Sequence, residues 1–180
     1  GVQTCALPIC FTRDLLETFE QQTRVKKLDL KFHTSAPEIE MWIDPKNFDK
    51  IILNLLSNAC KFTPENGQVE ISLSTGEDTH LPQNAPLRRY VELTVADSGI
   101  GIASTEREHI FERFYQIRNS QNNSNIGTGI GLHLARSLVE LHYGNIHVED
   151  NGEGRPGSRF IIRLPLGNGH LKKEEIEEAT

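Results

Sequence analysis

The pattern that most restricts the fold runs from Asp44 to Thr63. Asp44-Pro45 puts a carboxylate at a helix N-cap and a proline at the first helical position, where a missing N–H costs nothing. Phe48, Ile51, Ile52, Leu55, Leu56, Ala59 and Phe62 follow at helical spacing, and Pro64 stops the run. A helix with so broad an apolar stripe must bury it, so the rest of the chain has to supply a matching layer. Alternating runs do so: Leu28, Leu30 and Phe32; Ile39, Met41 and Ile43; Val69, Ile71 and Leu73; Val91, Leu93 and Val95; Ile146 and Val148; and Phe160, Ile162 and Leu164. Each reads as a half-buried strand.

Two more helices fit the pattern. One runs from Phe11 to about Lys26, with Phe11, Leu15, Leu16 and Phe19 among charged neighbours. The other opens at Gly127-Thr128-Gly129-Ile130-Gly131-Leu132 and continues to about His142, with Gly144 at its stop. The order predicts an α+β, two-layer sandwich: a mixed, mostly antiparallel sheet with three main helices on one face. Residues 74–89 read as a mobile connection, residues 118–125 as a polar lid, and a Gly-rich hairpin joins the last two strands. The expected domain spans residues 11–166. Residues 1–10 are set apart as a sequence leftover or an ordinary leading coil, and residues 167–180 as a charged, linker-like tail.

A net charge of −6 and a pI near 5.7 argue against nucleic acid or an anionic membrane surface as partner, since either favours a basic stripe. Cys5, Cys10 and Cys60 form no even-numbered framework and no Cys-x-x-Cys pair, which suits a reducing compartment without structural zinc. No apolar run approaches the ~20 residues that span a bilayer, and no secretory signal is visible. Without an initiator Met, the chain is expected to be a piece of a longer protein.

The chemistry concentrates in three places. Asp97 ends the strand through Val95, and Gly99 and Gly101 then allow a sharp turn and close approach to a ligand. Neither a dinucleotide fingerprint nor a P-loop occurs. On the Asp44 helix, Asn54, Asn58 and Lys61 fall at i, i+4 and i+7, within ~60° of one another, so two carboxamides and an ammonium line one edge. That edge reads either as a solvated flank or as a site where amide oxygens hold Mg²⁺ and the ammonium neutralises a phosphate. Gly127, Gly129 and Gly131 expose N–H groups at a helix start, with the Thr128 hydroxyl beside them, as an anion site. Asp97 is then left to accept a hydrogen bond from an exocyclic amine such as that of adenine.

Asn54-Leu-Leu-Ser-Asn58-Ala-Cys-Lys61-Phe62-Thr63, Asp97-Ser-Gly99-Ile-Gly101-Ile102, Phe111-Glu-Arg-Phe114-Tyr115 and Gly127-Thr-Gly129-Ile-Gly131-Leu132 resemble, in order, four boxes of the catalytic domain of sensor histidine kinases: the N box, first glycine box, F box and second glycine box. The resemblance implies the Bergerat ATP-binding fold of the GHKL superfamily. Asn58 would be the Mg²⁺ ligand with Asn54 beside it, Lys61 would face phosphate, and Phe62 would lie against the base. Asp97 would take the adenine amine, with Gly99, Gly101 and Ile102 shaping the base pocket. Gly127 to Leu132 would hold the phosphates beneath a mobile ATP lid hinged at the F box, with Phe114 and Arg118 among the nucleotide-binding residues. Asn54 and Lys61 would be the residues nearest the chemistry. The family's partners follow: a His-bearing dimerisation domain, a receiver domain or response regulator, a homodimeric full-length protein anchored in the cell membrane, and a cytoplasmic position for this domain.

Two departures stand out. Many members carry an Arg directly after the aromatic pair of the F box; this chain has Gln116, with Arg118 two positions on as a substitute. The acceptor motif, a His followed by an acidic residue and soon a Pro, is met by none of His33, His80, His109, His133, His142, His147 or His170. His133 reads as packing or surface. Two other classes compete. The gyrase, Hsp90 and MutL-type ATPases use a Glu general base where this chain has Asn54, an amide that cannot accept a proton. A docking module would bind ATP weakly or not at all. The segment Leu164-Pro-Leu-Gly-Asn-Gly-His170-Leu171 is similar to the stretch leading to a receiver domain in hybrid sensors.

Overall fold

The computed structural model describes residues 3–117 and 129–176. Its elements run β1 (Thr4–Ala6), α1 (Pro8–Val25), β2 (Asp29–Thr34), β3 (Met41–Ile43), α2 (Pro45–Phe62), β4 (Gln68–Glu77), β5 (Arg89–Asp97), α3 (Gly131–Leu141), β6 (Asn145–Asp150) and β7 (Ser158–Pro165). Five strands form one mixed sheet in the order β2-β4-β5-β7-β6. Within this sheet only β2 and β4 pair in parallel, and α2 lies in the crossover between them, as a parallel pair requires.

The expected α2 is realised at its start: the Asp44 carboxylate accepts from the Lys46 N–H at 2.9 Å and Pro45 opens the helix. Phe48, Ile51, Ile52, Leu55, Leu56 and Ala59 are each at most 4% exposed. They pack in one core with Val69, Ile71, Leu73, Val91, Leu93, Val95, Phe160, Ile162 and Leu164 from the sheet. At about 1.5–3 kcal/mol for each large apolar side chain buried, this layer contact dominates the fold's stability. Phe62 breaks the stripe, for its ring is 44% exposed where periodicity placed it in the core.

The other end of α2 is held by a residue the sequence reading passed over. Lys26 Nζ donates to the carbonyls of Cys60, Lys61 and Thr63 at 2.8, 3.1 and 3.0 Å. These are C-terminal helix carbonyls without partners inside the helix, so a cation there satisfies them and complements the dipole.

Four expectations change. β3 does not join the main sheet but pairs antiparallel with β1 in a sheet of its own. Residues set apart at the N-terminus are thereby in contact with the domain, and α1 begins at Pro8 with Ile9 buried, not at Phe11. The connection expected over 74–89 shrinks to residues 78–88, because β4 runs to Glu77; its ends are tied by the Asp78 N–H to Arg88 carbonyl bond and by the Arg88 to Glu77 ion pair, each at 2.9 Å. The tail folds back: His170 packs edge-on against Tyr143, and the Tyr143 hydroxyl donates to Glu175 at 3.0 Å. The polar lid lies outside the described residues.

Candidate functional site

Asp97 is the last residue of β5 and only 6% exposed. Its carboxylate accepts from the Gly99 N–H through Oδ1 and from the Ser158 hydroxyl through Oδ2, both at 2.8 Å. Burial pushes its pKa above the usual carboxylate range, against these hydrogen bonds, which favour the ionised form. A buried acceptor fixed from two sides can discriminate one amine donor from another.

The loop after Asp97 sits on the end of α2. A Cβ at Gly99 would stand 2.6 Å from the Phe62 carbonyl oxygen, so only glycine lets the two backbones touch. Gly101 has φ of +75°, the left-handed region that glycine enters at no steric cost. Ile102 is partly buried against the core. Phe62 lies beside this loop, with Lys61 Nζ 5.1 Å above its ring centroid.

About two turns back along α2 the second glycine box arrives. A Cβ at Gly131, the first residue of α3, would stand 2.8 Å from Asn54 Oδ1. The Asn54 amide nitrogen donates to the Lys50 carbonyl at 2.7 Å, which leaves Oδ1 as its free end. The Asn58 side chain makes no hydrogen bond to another described residue. Asn54, Asn58 and Lys61 are all half-buried on the expected edge. The Phe114 N–H donates to the Gly129 carbonyl at 2.8 Å, and both residues have positive φ, +66° and +67°. Phe114 is 62% exposed and Leu132 packs partly into the core. Arg118, Gly127 and Thr128 lie outside the described residues.

The F box is anchored from below. Phe111 is buried, edge-on to Phe160 with ring centroids 6.2 Å apart and Arg136 stacked 5.5 Å from its ring. The Tyr115 hydroxyl donates to Glu106, and the ring stacks on His109. His133 Nδ1 donates to the Phe111 carbonyl at 3.2 Å, which makes it a packing residue, as expected. Of two open clefts, one lined by Glu38, Trp42, Thr75 and Arg89 gathers none of the candidate site residues, and another, lined by Gln22, Val25, Lys26 and Ser57, includes Lys61 but neither Asp97 nor Asn54.

The geometry thus joins three of the sequence's separate signals on one helix. Gly99 touches α2 at Phe62 and Gly131 touches it at Asn54, about 12 Å apart along the axis at 1.5 Å per residue. Ser158 is the functional neighbour that sequence reading missed. Its only signal is a Gly-Ser pair closing the Gly-rich hairpin, and nothing local links it to Asp97, 61 residues away.

Three helices on one face of a five-stranded mixed sheet, with two glycine loops set on the middle helix, define a two-layer domain of the ATP-binding class. The chain belongs to the histidine kinase-, DNA gyrase B-, and HSP90-like ATPase family, whose model matches residues 43–168. It is 37% identical over 155 residues to the sensor histidine kinase TmoS of Ectopseudomonas mendocina, covering 86% of this chain and 15% of that protein. It also resembles full-length ShkA in complex with AMPPNP (TM-score 0.73, 26% identity, 93% of this chain and 32% of that one). A third likeness is the histidine kinase ThkA in complex with the response regulator protein TrrA (TM-score 0.71, 25% identity, 92% of this chain and 42% of that one). The chain spans 10–31% of the length of four of the curated relatives that it matches. Among the described residues no helix is long and apolar enough to cross a membrane.

Proposed function

We propose that this chain holds the ATP-binding catalytic domain of a sensor histidine kinase, residues 11–166 extended at the N-terminus by β1 and the start of α1, and that it presents the γ-phosphoryl of Mg-ATP to a His on a separate helical dimerisation domain. The observation that carries this reading is the seating of both glycine loops on one edge of α2, with a buried carboxylate at one end. A nucleoside triphosphate has two chemically different ends, and the edge offers a matching pair. At the base end, Asp97 accepts the adenine amine, Phe62 lies against the ring, and Gly99, Gly101 and Ile102 shape the pocket. At the phosphate end, Gly129, Gly131 and the start of α3 offer N–H groups and the helix dipole, and Lys61, whose ammonium stands over the Phe62 ring, offers a positive charge to the phosphates from the base side. Leu132 and Phe114 border that end, with Arg118, Gly127 and Thr128 as further phosphate-side candidates.

The donor set fits Mg²⁺. Asn58 has an uncommitted carboxamide and Asn54 a free amide oxygen, hard neutral donors of the kind that share an ion with phosphates and water. Bound there, the ion would neutralise phosphate charge. The protein's own part is to orient the triphosphate for in-line attack by a His nitrogen from outside the chain. Asn54 and Lys61 are the side chains nearest that event.

The likeness to ThkA in complex with a response regulator protein supports a response regulator or receiver domain as next acceptor; the wider setting of the proposal is a homodimer formed through the helical domain and a cytoplasmic place for this domain in a membrane-anchored protein. The tail beyond Leu166 is then the path toward a receiver domain. Calorimetry with a non-hydrolysable ATP analogue, with and without Mg²⁺, tests the reading. Binding that strengthens with Mg²⁺ is expected; no heat in either case would favour a docking module.

A further inference from the structure

Asn151 has no role in the reading above. It lies in the hairpin between β6 and β7, and its amide nitrogen donates twice, to the carbonyls of Asp97 and of Pro156, each at 2.7 Å. The first bond reaches the backbone of the residue that the proposed function puts against the base. The β5–β7 ladder ends at the Ala96–Arg159 pair, so the Asp97 carbonyl lies one position past the last ladder pair. Asn151 supplies its donor.

Two neighbouring contacts run the same way. Gly157 has φ of +99°, and a Cβ there would stand 1.8 Å from the Asp97 carbonyl oxygen, so the hairpin backbone lies directly on the strand end. Asp150 accepts from Arg107 at 2.5 Å, and the same guanidinium donates to the Ile102 carbonyl at 3.3 Å. The hairpin therefore holds the glycine loop at both ends, Asp97 on one side and Ile102 on the other.

We propose that Asn151 is a positioning residue for Asp97. Its two hydrogen bonds fix the peptide that follows Asp97, and with it the direction in which the carboxylate meets the exocyclic amine of the base. The proposal rests on the assignment of Asp97 to the base end of an ATP site. A residue that merely closed the hairpin would affect every nucleotide alike, whereas one that aims Asp97 affects only the ligand whose amine Asp97 accepts.

The experiment compares the binding of ATP with that of purine riboside triphosphate, the same ligand without the 6-amino group. The wild type is expected to prefer ATP by about tenfold or more, as sites built around a hydrogen bond do. In Asn151→Ala and in the isosteric Asn151→Asp, that preference is expected to fall to about twofold, with the purine analogue bound as in the wild type. The amide proton shift of Gly99, which donates to Asp97 Oδ1, is expected to move in both variants, giving a readout independent of any change in unfolding midpoint. An equal loss for both nucleotides, an undiminished preference, or an unmoved Gly99 resonance overturns the proposal. A wild type that does not distinguish the two ligands overturns the assignment of Asp97 itself, and the two failures are thus told apart.

Discussion

The carboxamide oxygen of Asn54 lies against the α-carbon of Gly131, with no room for a Cβ between them. Gly131 opens α3 without a positive φ, so alanine there gains up to about 1 kcal/mol in helix propensity while displacing the Asn54 side chain. Gly131→Ala is expected to keep or raise the unfolding midpoint and to weaken Mg-ATP binding by roughly tenfold. Thermal melts and calorimetry check both; unchanged affinity would remove Asn54 from the site.

Asp97 gives binding and stability opposite pH slopes. Burial raises its folded pKa above the unfolded value, so its contribution to stability improves as pH falls through that raised pKa. Accepting an amine needs the carboxylate, so nucleotide affinity falls over the same window. Ser158→Ala removes a hydrogen bond that favours the ionised form, and its acid loss of ATP binding is expected to begin at higher pH than in the wild type. An affinity profile that shifts to lower pH, or not at all, contradicts the role given to Ser158.

His142 ties α3 to the cap of α2 in its neutral form. Nδ1 donates to the Leu138 carbonyl at 2.7 Å, and Nε2 accepts from the Asp44 N–H at 3.3 Å. Burial lowers its pKa, opposed by the Leu138 bond and by Asp44; nearby His170 is lowered by burial as well. The stability is present above the unfolded value of about 6.5 and is lost as pH falls from there toward the lowered folded pKa. Urea unfolding is expected to show a loss on the order of 1 kcal/mol between pH 7.5 and 5.5, reduced in His142→Gln. A variant with the full wild-type slope would place the acid sensitivity elsewhere.

Lys26→Met leaves the Cys60, Lys61 and Thr63 carbonyls without their donor. A loss of about 1–3 kcal/mol in unfolding free energy is expected, the range for hydrogen bonds from a charged group and the carbonyls left behind. Chemical denaturation measures it, and a loss within error of zero would mean that water caps the helix equally well.

Hydrolysis by the isolated chain is expected to be slow. The resemblance puts Asn54 at the position of the general base of the gyrase, Hsp90 and MutL-type ATPases, and an amide cannot take a proton from water. Released phosphate should accumulate at well below roughly one turnover per minute, and rapid turnover without any acceptor domain would favour the hydrolase reading.

Much of this protein was legible locally. Asp44-Pro45 sets the start of α2 because capping depends on neighbours two residues apart, and the alternation through Val91, Leu93 and Val95 sets which face of β5 is buried. The layer order follows from such periods. Phe62 misled because its spacing fits the core, while its place at the end of α2 leaves the ring exposed beside the glycine loop.

What a sequence period cannot carry is a contact between segments far apart in the chain. The pairing of β3 with β1, the return of the tail to Tyr143, and the hydrogen bonds to Asp97 from Ser158 and Asn151, 61 and 54 residues away, depend on where whole elements come to rest. The glycines show the division most clearly. Sequence marks Gly99 and Gly131 as places where a backbone can come close to something. Only the packed layers decide that the partners are the Phe62 carbonyl and the Asn54 amide, because the missing Cβ is filled by atoms from another element.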